Sequence, residues 1–220
     1  MKLAIFDFDG TLFKEETIPY LLDKWKDLGY SKYARTHTRK KILKKYFFKK
    51  IKLLSKENFR IQATIEFLRI FDGMNKDEIE IFFKESCENI EDFFNEKVLG
   101  EIKKTSSRNY TLVMVSGCFQ VMLDKALKDL PFDHIIGTKL PIDDDGINFE
   151  QDIKIISGMK KKEAILKSFD KNLVDWQNSK AYGDSLYDRY VMELTGSPTA
   201  VTPDDNLRSY AEKHNWNIID

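Results

Sequence analysis

Cysteine is scarce: Cys87 and Cys118 are the only two in 220 residues. They lie far apart and in no metal-ligand spacing, which excludes a disulfide framework and fits a reducing compartment, so a cytoplasmic location is expected. Net charge is also missing. The 36 Lys+Arg balance 36 Asp+Glu, leaving no global field to recruit nucleic acid or an acidic partner. Long apolar runs are lacking too: stretches such as Leu112 to Val115 fall far short of the roughly 20 residues that cross a bilayer. Met1 leads directly into a strand-like run containing an acid, unlike a leader peptide. The expectation is a soluble chain without a signal peptide, with no nucleic-acid partner and no integral membrane association. Oligomeric state has no signature here.

What is present is apolar material, 42% hydrophobic residues and 13% aromatics, enough for a substantial core. Lys2 to Leu12 is a nearly continuous apolar run ending in acids and a glycine, the pattern of a strand buried on both faces that enters a functional loop. From Thr17 to about Lys104 apolar residues recur at three- and four-residue spacing, so this stretch reads as about four helices. Breaks fall near Gly29-Tyr30-Ser31, Ser55-Lys56-Glu57-Asn58 and Asp72-Gly73-Met74-Asn75, where Ser or Asn can cap the next helix. Beyond Ser106 strand and helix alternate. Strands are expected at Tyr110 to Ser116, His134 to Lys139, Ser179 to Gly183 and Pro198 to Val201. A hairpin is expected at Asp143 to Gly146, and helices at Phe119 to Leu130, Lys161 to Phe169, Leu186 to Leu194 and Asp205 to Lys213. Alternation of this kind implies an α/β core with a parallel sheet, built from both ends of the chain around an inserted all-helical cap. The division expected is 1–14 with 105–220 for the core and 15–104 for the cap.

Four clusters fall where strands or helices begin and end: Asp7 with Asp9, Ser116 with Gly117, Lys160-Lys161-Lys162, and Asp184 with Asp188. In a parallel sheet the carboxyl ends of the strands share one crevice, so these groups can converge. Several carboxylates brought together repel one another unless a cation compensates, and oxygen ligands without His or Cys favour Mg²⁺. A cation, a lysine and a hydroxyl around an aspartate also suit a phosphoryl group, whose oxygens need positive charge and donors.

Together, Asp7-Phe-Asp-Gly-Thr-Leu12, Ser116-Gly117, the lysine at a helix start and Gly183-Asp-Ser-Leu-Tyr-Asp188 resemble the four motifs of the haloacid dehalogenase superfamily. The Asp-x-Asp-Gly-Thr string alone would arise by chance in about one chain in a thousand of this length. Val115-Ser-Gly-Cys-Phe119, Glu16-Thr-Ile18 and the helical insert after the first motif look like its phosphoserine-phosphatase-like branch, subclass IB. The resemblance implies a three-layer Rossmann-like core with a helical cap that closes over the substrate. It makes Asp7 the nucleophile, which forms an aspartyl phosphate, and Asp9 the general acid and base. Ser116 and the Gly117 N–H would hold phosphoryl oxygens, and Lys161 would neutralise their charge. Asp7, Asp9 through its backbone carbonyl, and Asp184 would ligate Mg²⁺, with Asp188 in support.

Only one of the three consecutive lysines can point into a crevice. Lys161, followed by Glu163 and Ile165, matches the family spacing; Lys162, with Leu166, is the alternative. An acid at Asp9 favours phosphate-ester chemistry over dehalogenation. The implied activity is Mg²⁺-dependent hydrolysis of a small phosphorylated metabolite. The alternatives are a phosphotransferase or mutase using the same aspartyl phosphate, and a non-catalytic phosphate-ligand-binding protein. Glu16 matches the family position that contacts a phosphoserine amine. However, the position of the carboxylate-binding arginine falls near Phe67, between Arg60 and Arg69, and Tyr187 replaces a common Asn. Both departures count against phosphoserine.

Arg39 to Leu54 sets Lys40, Lys41, Lys44, Lys45, Lys49, Lys50 and Lys52 around Leu43, Tyr46, Phe47, Ile51 and Leu54 at helical spacing. That pattern is ordinarily a cap helix with a solvated face. It also fits an element for a membrane surface or an anionic substrate. His37, His134 and His214 are scattered, and Cys118 reads as a small packed side chain.

Overall fold

The computed structural model describes residues 1–54 and 56–220, and the side chains of Lys56 and Glu57 lie outside that description. In chain order the strands are β1 (Leu3–Phe6), β2 (Thr111–Phe119), β3 (His134–Thr138), β4 (Ile142–Asp143), β5 (Gly146–Ile147), β6 (Lys180–Gly183), β7 (Ser197–Val201) and β8 (Asn217–Ile219). The α-helices are α1 (Thr17–Asp27), α2 (Lys32–Lys50), α3 (Lys56–Leu68), α4 (Lys76–Ser86) and α5 (Glu96–Ser106). They continue with α6 (Gln120–Ala126), α7 (Met159–Ser168), α8 (Arg189–Met192) and α9 (Asp205–Lys213).

Six strands form one sheet in the order β3-β2-β1-β6-β7-β8, and every pairing in it is parallel. β1 lies between β2 and β6, with Phe6 level with Met114 on one side and Tyr182 on the other. The chain passes from β1 to β2 on one flank and later to β6 on the opposite flank, so strand order reverses at β1. Such a reversal opens a crevice beyond the carboxyl ends of the strands.

Alternation of side chains across the pleat divides the core into two layers. Leu3, Ile5, Val113, Val115 and Ala181 face a cluster with Ile165 of α7, Val191 of α8, and Leu207 and Ala211 of α9. On the other face Phe6 stacks on Tyr182 at 4.5 Å and meets Phe132 edge-on. The Tyr182 hydroxyl donates to Glu101 on α5 at 2.6 Å, which anchors that helix. The result is a three-layer α/β arrangement of the Rossmann type.

The chain divides into two compact units. One comprises Met1–Glu16, Asn89–Thr138 and Ile156–Asp220; the other comprises Thr17–Glu88 and Lys139–Ile155. Texture alone places 89–104 with the cap and the hairpin segment with the core. In the structure α5 belongs with the sheet unit, and 139–155 belongs with the helical one. The second assignment has a local cause: Gly146 of β5 approaches so closely that a Cβ there would lie 2.2 Å from the Met74 carbonyl oxygen.

The helical unit has its own core, in which Trp25, Phe71, Phe82 and Phe83 contact one another ring to ring. Its caps follow the sequence signals. Ser31 accepts from Ala34 N, and Asn75 forms a reciprocal capping box with Glu78. The break expected at Ser55 lies outside the described residues. Among the described residues between Thr17 and Ser106 the structure has five α-helices, because Asn89 turns left-handed (φ 58°) and Asn95 caps a new helix. Two further differences fall near the C-terminus. The helix expected over 186–194 shortens to α8, since Ser185 and Asp188 hold the preceding turn, and β8 adds an edge strand that its short Asn-Ile-Ile run does not announce.

Candidate active site

Asp7 follows the last residue of β1, and its N–H donates to the Tyr182 carbonyl at 3.0 Å, continuing the ladder with β6. Ser116 and Gly117 lie near the end of β2, and Asp184 directly follows β6. Three adjacent parallel strands therefore deliver these groups to the same end of the sheet. Lys161 comes from the first turn of α7. Ile165, four residues on, is buried on the same helical face against the sheet, which turns the lysine inward.

Of the three consecutive lysines Lys160 is exposed and Lys162 half-buried, whereas Lys161 is 5% exposed. The Lys161 Nζ lies 2.7 Å from Asp7 Oδ1 and 2.6 Å from Asp188 Oδ1. Asp188 is further held by Ser185, whose N–H and hydroxyl donate to Oδ2 at 3.1 and 2.9 Å. Its carboxylate thus takes three donors and fixes the lysine in place. Asp7, Asp184 and Asp188 each present an oxygen within 4.8 Å of the others.

The electrostatics follow from burial. Desolvation and then the Asp188 charge raise the Asp7 carboxyl, against Lys161, to about 6. Desolvation pushes Asp184 up to about 9, with Asp188 and Asp7 adding to it and Lys161 opposing; the Glu16 charge also contributes. Burial opposes ionisation of Asp188, but Lys161 and the Ser185 hydrogen bonds outweigh it, and that carboxyl sits below its ordinary value. Burial likewise works against the Lys161 charge, and the two aspartates more than offset it. Three carboxylates against one ammonium leave surplus negative charge. A divalent cation compensates such a surplus, and an all-oxygen donor set suits Mg²⁺.

The remaining candidates are placed as follows. Ser116 is buried and its Oγ accepts from Cys118 N at 3.2 Å, which leaves the hydroxyl proton available to a ligand. Gly117 packs closely, since a Cβ there would sit 3.3 Å from the Ile156 carbonyl oxygen. Asp9 is half-buried, in a bridge with Phe13, and its carboxylate is not a member of the three-acid group. Glu16 is exposed. Cys118 is buried beside Ser116, a packed side chain as expected.

Several supporting residues were not legible beforehand. Thr138 donates from Oγ1 to the Gly117 carbonyl at 2.9 Å and accepts from Ile156 N at 3.1 Å, tying the β2 end to the segment before α7. Ser185 grips Asp188. The glycines beside the acids have steric reasons: a Cβ on Gly10, whose φ is +71°, would lie 2.6 Å from Asp184 Oδ2, and one on Gly183 would lie 2.5 Å from Asp188 Cβ. The Gly-Asp-Ser run could have suggested Ser185; nothing in the sequence singles out Thr138.

Comparison with known proteins agrees with this arrangement. A curated relative, the inhibition of morphological differentiation protein of Streptomyces azureus, is 31% identical over 117 residues, 53% of this chain and 41% of its own length. The phosphoserine phosphatase of Archaeoglobus fulgidus is 23% identical over 211 residues, 96% of this chain and 55% of its own. The chain thus spans about half the length of the curated relatives it matches. A crystal structure of a protein of unknown function from Bordetella pertussis superposes with a TM-score of 0.83 at 17% identity, covering 100% of this chain and 98% of that one. The model for the haloacid dehalogenase-like hydrolases matches residues 4–193, most of the chain, and the protein belongs to that family.

Proposed function

We propose that the chain is a Mg²⁺-dependent phosphatase that hydrolyses a small phosphomonoester through an aspartyl phosphate. The observation that carries this reading is the buried Asp7–Lys161–Asp188 chain of ion pairs at the end of the central strand, with Asp184 in the same carboxylate group. Asp7 and Asp184 side chains and the Asp9 backbone carbonyl would hold the cation, while Asp188 is committed to Lys161 and Ser185. When bound, Mg²⁺ supplies charge that offsets the acids and the phosphoryl oxygens.

The proposed steps are those that the family resemblance assigns to these residues. An Asp7 carboxylate oxygen attacks phosphorus, and the bond from phosphorus to the ester oxygen breaks. Asp9, as the acid, gives its proton to the departing alkoxide. Asp9, now a carboxylate, takes a proton from water as that oxygen attacks phosphorus, and the bond to Asp7 breaks to release inorganic phosphate. Lys161, Ser116 and the Gly117 N–H stabilise the charged phosphoryl oxygens throughout.

Phosphoserine is a weaker candidate than its place among the relatives' names suggests. The position that would supply a carboxylate-binding arginine is Phe67, fully buried in the helical unit's aromatic core. Arg69, nearby, lies 5.2 Å over the Phe149 ring. The test is phosphate release from a panel of esters (phosphoserine, histidinol phosphate, sugar phosphates, nucleotides and a lysophospholipid) with Mg²⁺ or EDTA, and with Asp7→Asn as control. Release that needs both metal and Asp7 supports the reading. No release from any ester by Mg²⁺-loaded protein overturns it in favour of phosphoryl transfer to a specific acceptor, or of a binding role.

A further inference from the structure

The helical unit carries a concentration of positive charge. Residues 28–56 contain nine lysines, two arginines and no acid, although the chain as a whole carries as many acids as bases. Most of this segment is α2, and the ordinary reading of such a helix, apolar side chains inward and lysines outward, fails here. Thr38 is the only α2 residue that is fully buried. Leu43 and Phe47 are each 59% exposed, Ile51 46% and Leu53 72%.

The side of α2 that meets α3 is largely polar: Lys41 and Lys45 pair with Glu66, and Lys45 also donates to Gln62. Lys49 lies over the Phe59 ring. Leu43, Phe47 and Ile51 recur four residues apart and so form one outward stripe, with Lys40, Lys44 and Lys50 around it. Among the described residues those three lysines make no ion pair. Leaving such a stripe in water forfeits apolar burial that a docked surface would recover.

We infer that the outward face of α2 docks on an anionic membrane surface, with Leu43, Phe47, Ile51 and Leu53 entering the headgroup region and the surrounding lysines meeting lipid phosphates. Charge complementarity selects this occupant: one sign of charge without a single acid suits a continuous anionic plane. A partner helix or second copy would have to bring the missing acids itself. Nucleic acid would be served by the lysines but gives no burial to exposed Leu and Ile side chains. No helix among the described residues is long and apolar enough to cross a membrane, so the association is with its surface. The inference is independent of the catalytic reading.

The experiment is flotation of the full chain with vesicles of phosphatidylcholine alone or with about a third phosphatidylglycerol, at about 0.1 and 0.5 M NaCl. Binding is expected only to the anionic vesicles, and weaker in high salt. Lys40→Gln with Lys44→Gln should lower partitioning roughly thirtyfold, and Leu43→Ser with Phe47→Ser at least about tenfold. All four residues are exposed, so circular dichroism and the thermal midpoint should be unchanged in both variants. Absence of binding to anionic vesicles overturns the inference, as does binding indifferent to Leu43 and Phe47. So does preferential binding to an oligonucleotide, or concentration-dependent dimerisation abolished by the Leu43 and Phe47 changes.

Discussion

At the scale of single residues the molecule is organised around Lys161. Among the described residues its ammonium is the positive group set against three buried or half-buried acids, and it touches two of them directly. Breaking a buried ion pair strands the partner charges in low dielectric, at a cost of about 3 to 5 kcal/mol. Lys161→Met is therefore expected to lower stability by that order, measured by urea denaturation. Adding Asp188→Asn, which removes one stranded charge, should recover part of the loss, whereas a lysine important only for packing would show no recovery. Asp7→Asn keeps the shape but removes the carboxylate that the proposed reaction uses as nucleophile, so on that reading phosphate release should fall at least about a thousandfold with the fold intact by circular dichroism. These residues were legible because chemistry in a parallel sheet collects at strand ends: Asp7 and Asp184 each follow a strand, and Ser116 lies near the end of one. Ser185 and Thr138 escaped notice for the opposite reason. Each acts through a hydrogen bond whose partner is set by tertiary placement, and a hydroxyl in a turn carries no sequence mark of that use.

At the scale of elements, patterning revealed which segments are strands and helices better than where they belong. The apolar spacing of α5 is that of any amphipathic helix, and it does not disclose that its partner is the sheet. Tyr182 does that in three dimensions by donating to Glu101. Burial raises the Glu101 carboxyl, but the Tyr182 and Lys104 hydrogen bonds and the Lys104 and Lys180 charges outweigh it, and the carboxyl sits below its ordinary value. A carboxyl lowered in the folded state contributes stability above its unfolded value and loses it as pH falls through the folded one. Glu101→Gln should accordingly be less stable than the parent at neutral pH, and the difference should close below about pH 4. Thermal melts at several pH values measure this, and a gap that persists into acid would assign the effect to packing instead. The same limit applied to α2. Periodicity showed Leu43, Tyr46, Phe47, Ile51 and Leu54 at helical spacing, and only the structure showed that Tyr46 meets Phe59 of α3 while Leu43, Phe47 and Ile51 stand exposed.

At the scale of the whole molecule, the sheet unit is assembled from three separated segments and the helical unit from two. The acids of the site come from the first and last of the sheet unit's segments: Asp7 from the N-terminal one, Asp184 and Asp188 from the C-terminal one. Folding therefore brings Asp7 together with two like charges more than 170 residues away along the chain, and among the described residues Lys161 is the ammonium that offsets them. In the absence of a cation the burial of these acids, and after it their mutual repulsion, is a standing cost to the folded state, visible in the direction of the Asp184 and Asp7 shifts, both upward. A ligand that binds the folded chain and not the unfolded one stabilises it in proportion to the logarithm of its concentration over its dissociation constant. Mg²⁺ at a hundredfold excess over that constant should add about 2.7 kcal/mol, raising the thermal midpoint by several degrees, and EDTA should reverse the rise. Asp184→Asn should behave differently in two respects at once. Removing a repelled acid should make the metal-free protein no less stable than the parent, and the response to Mg²⁺ should shrink. A melt series with and without Mg²⁺ reads both changes without any substrate. An undiminished Mg²⁺ response in Asp184→Asn would place the ion elsewhere and remove the carboxylate group's claim to it.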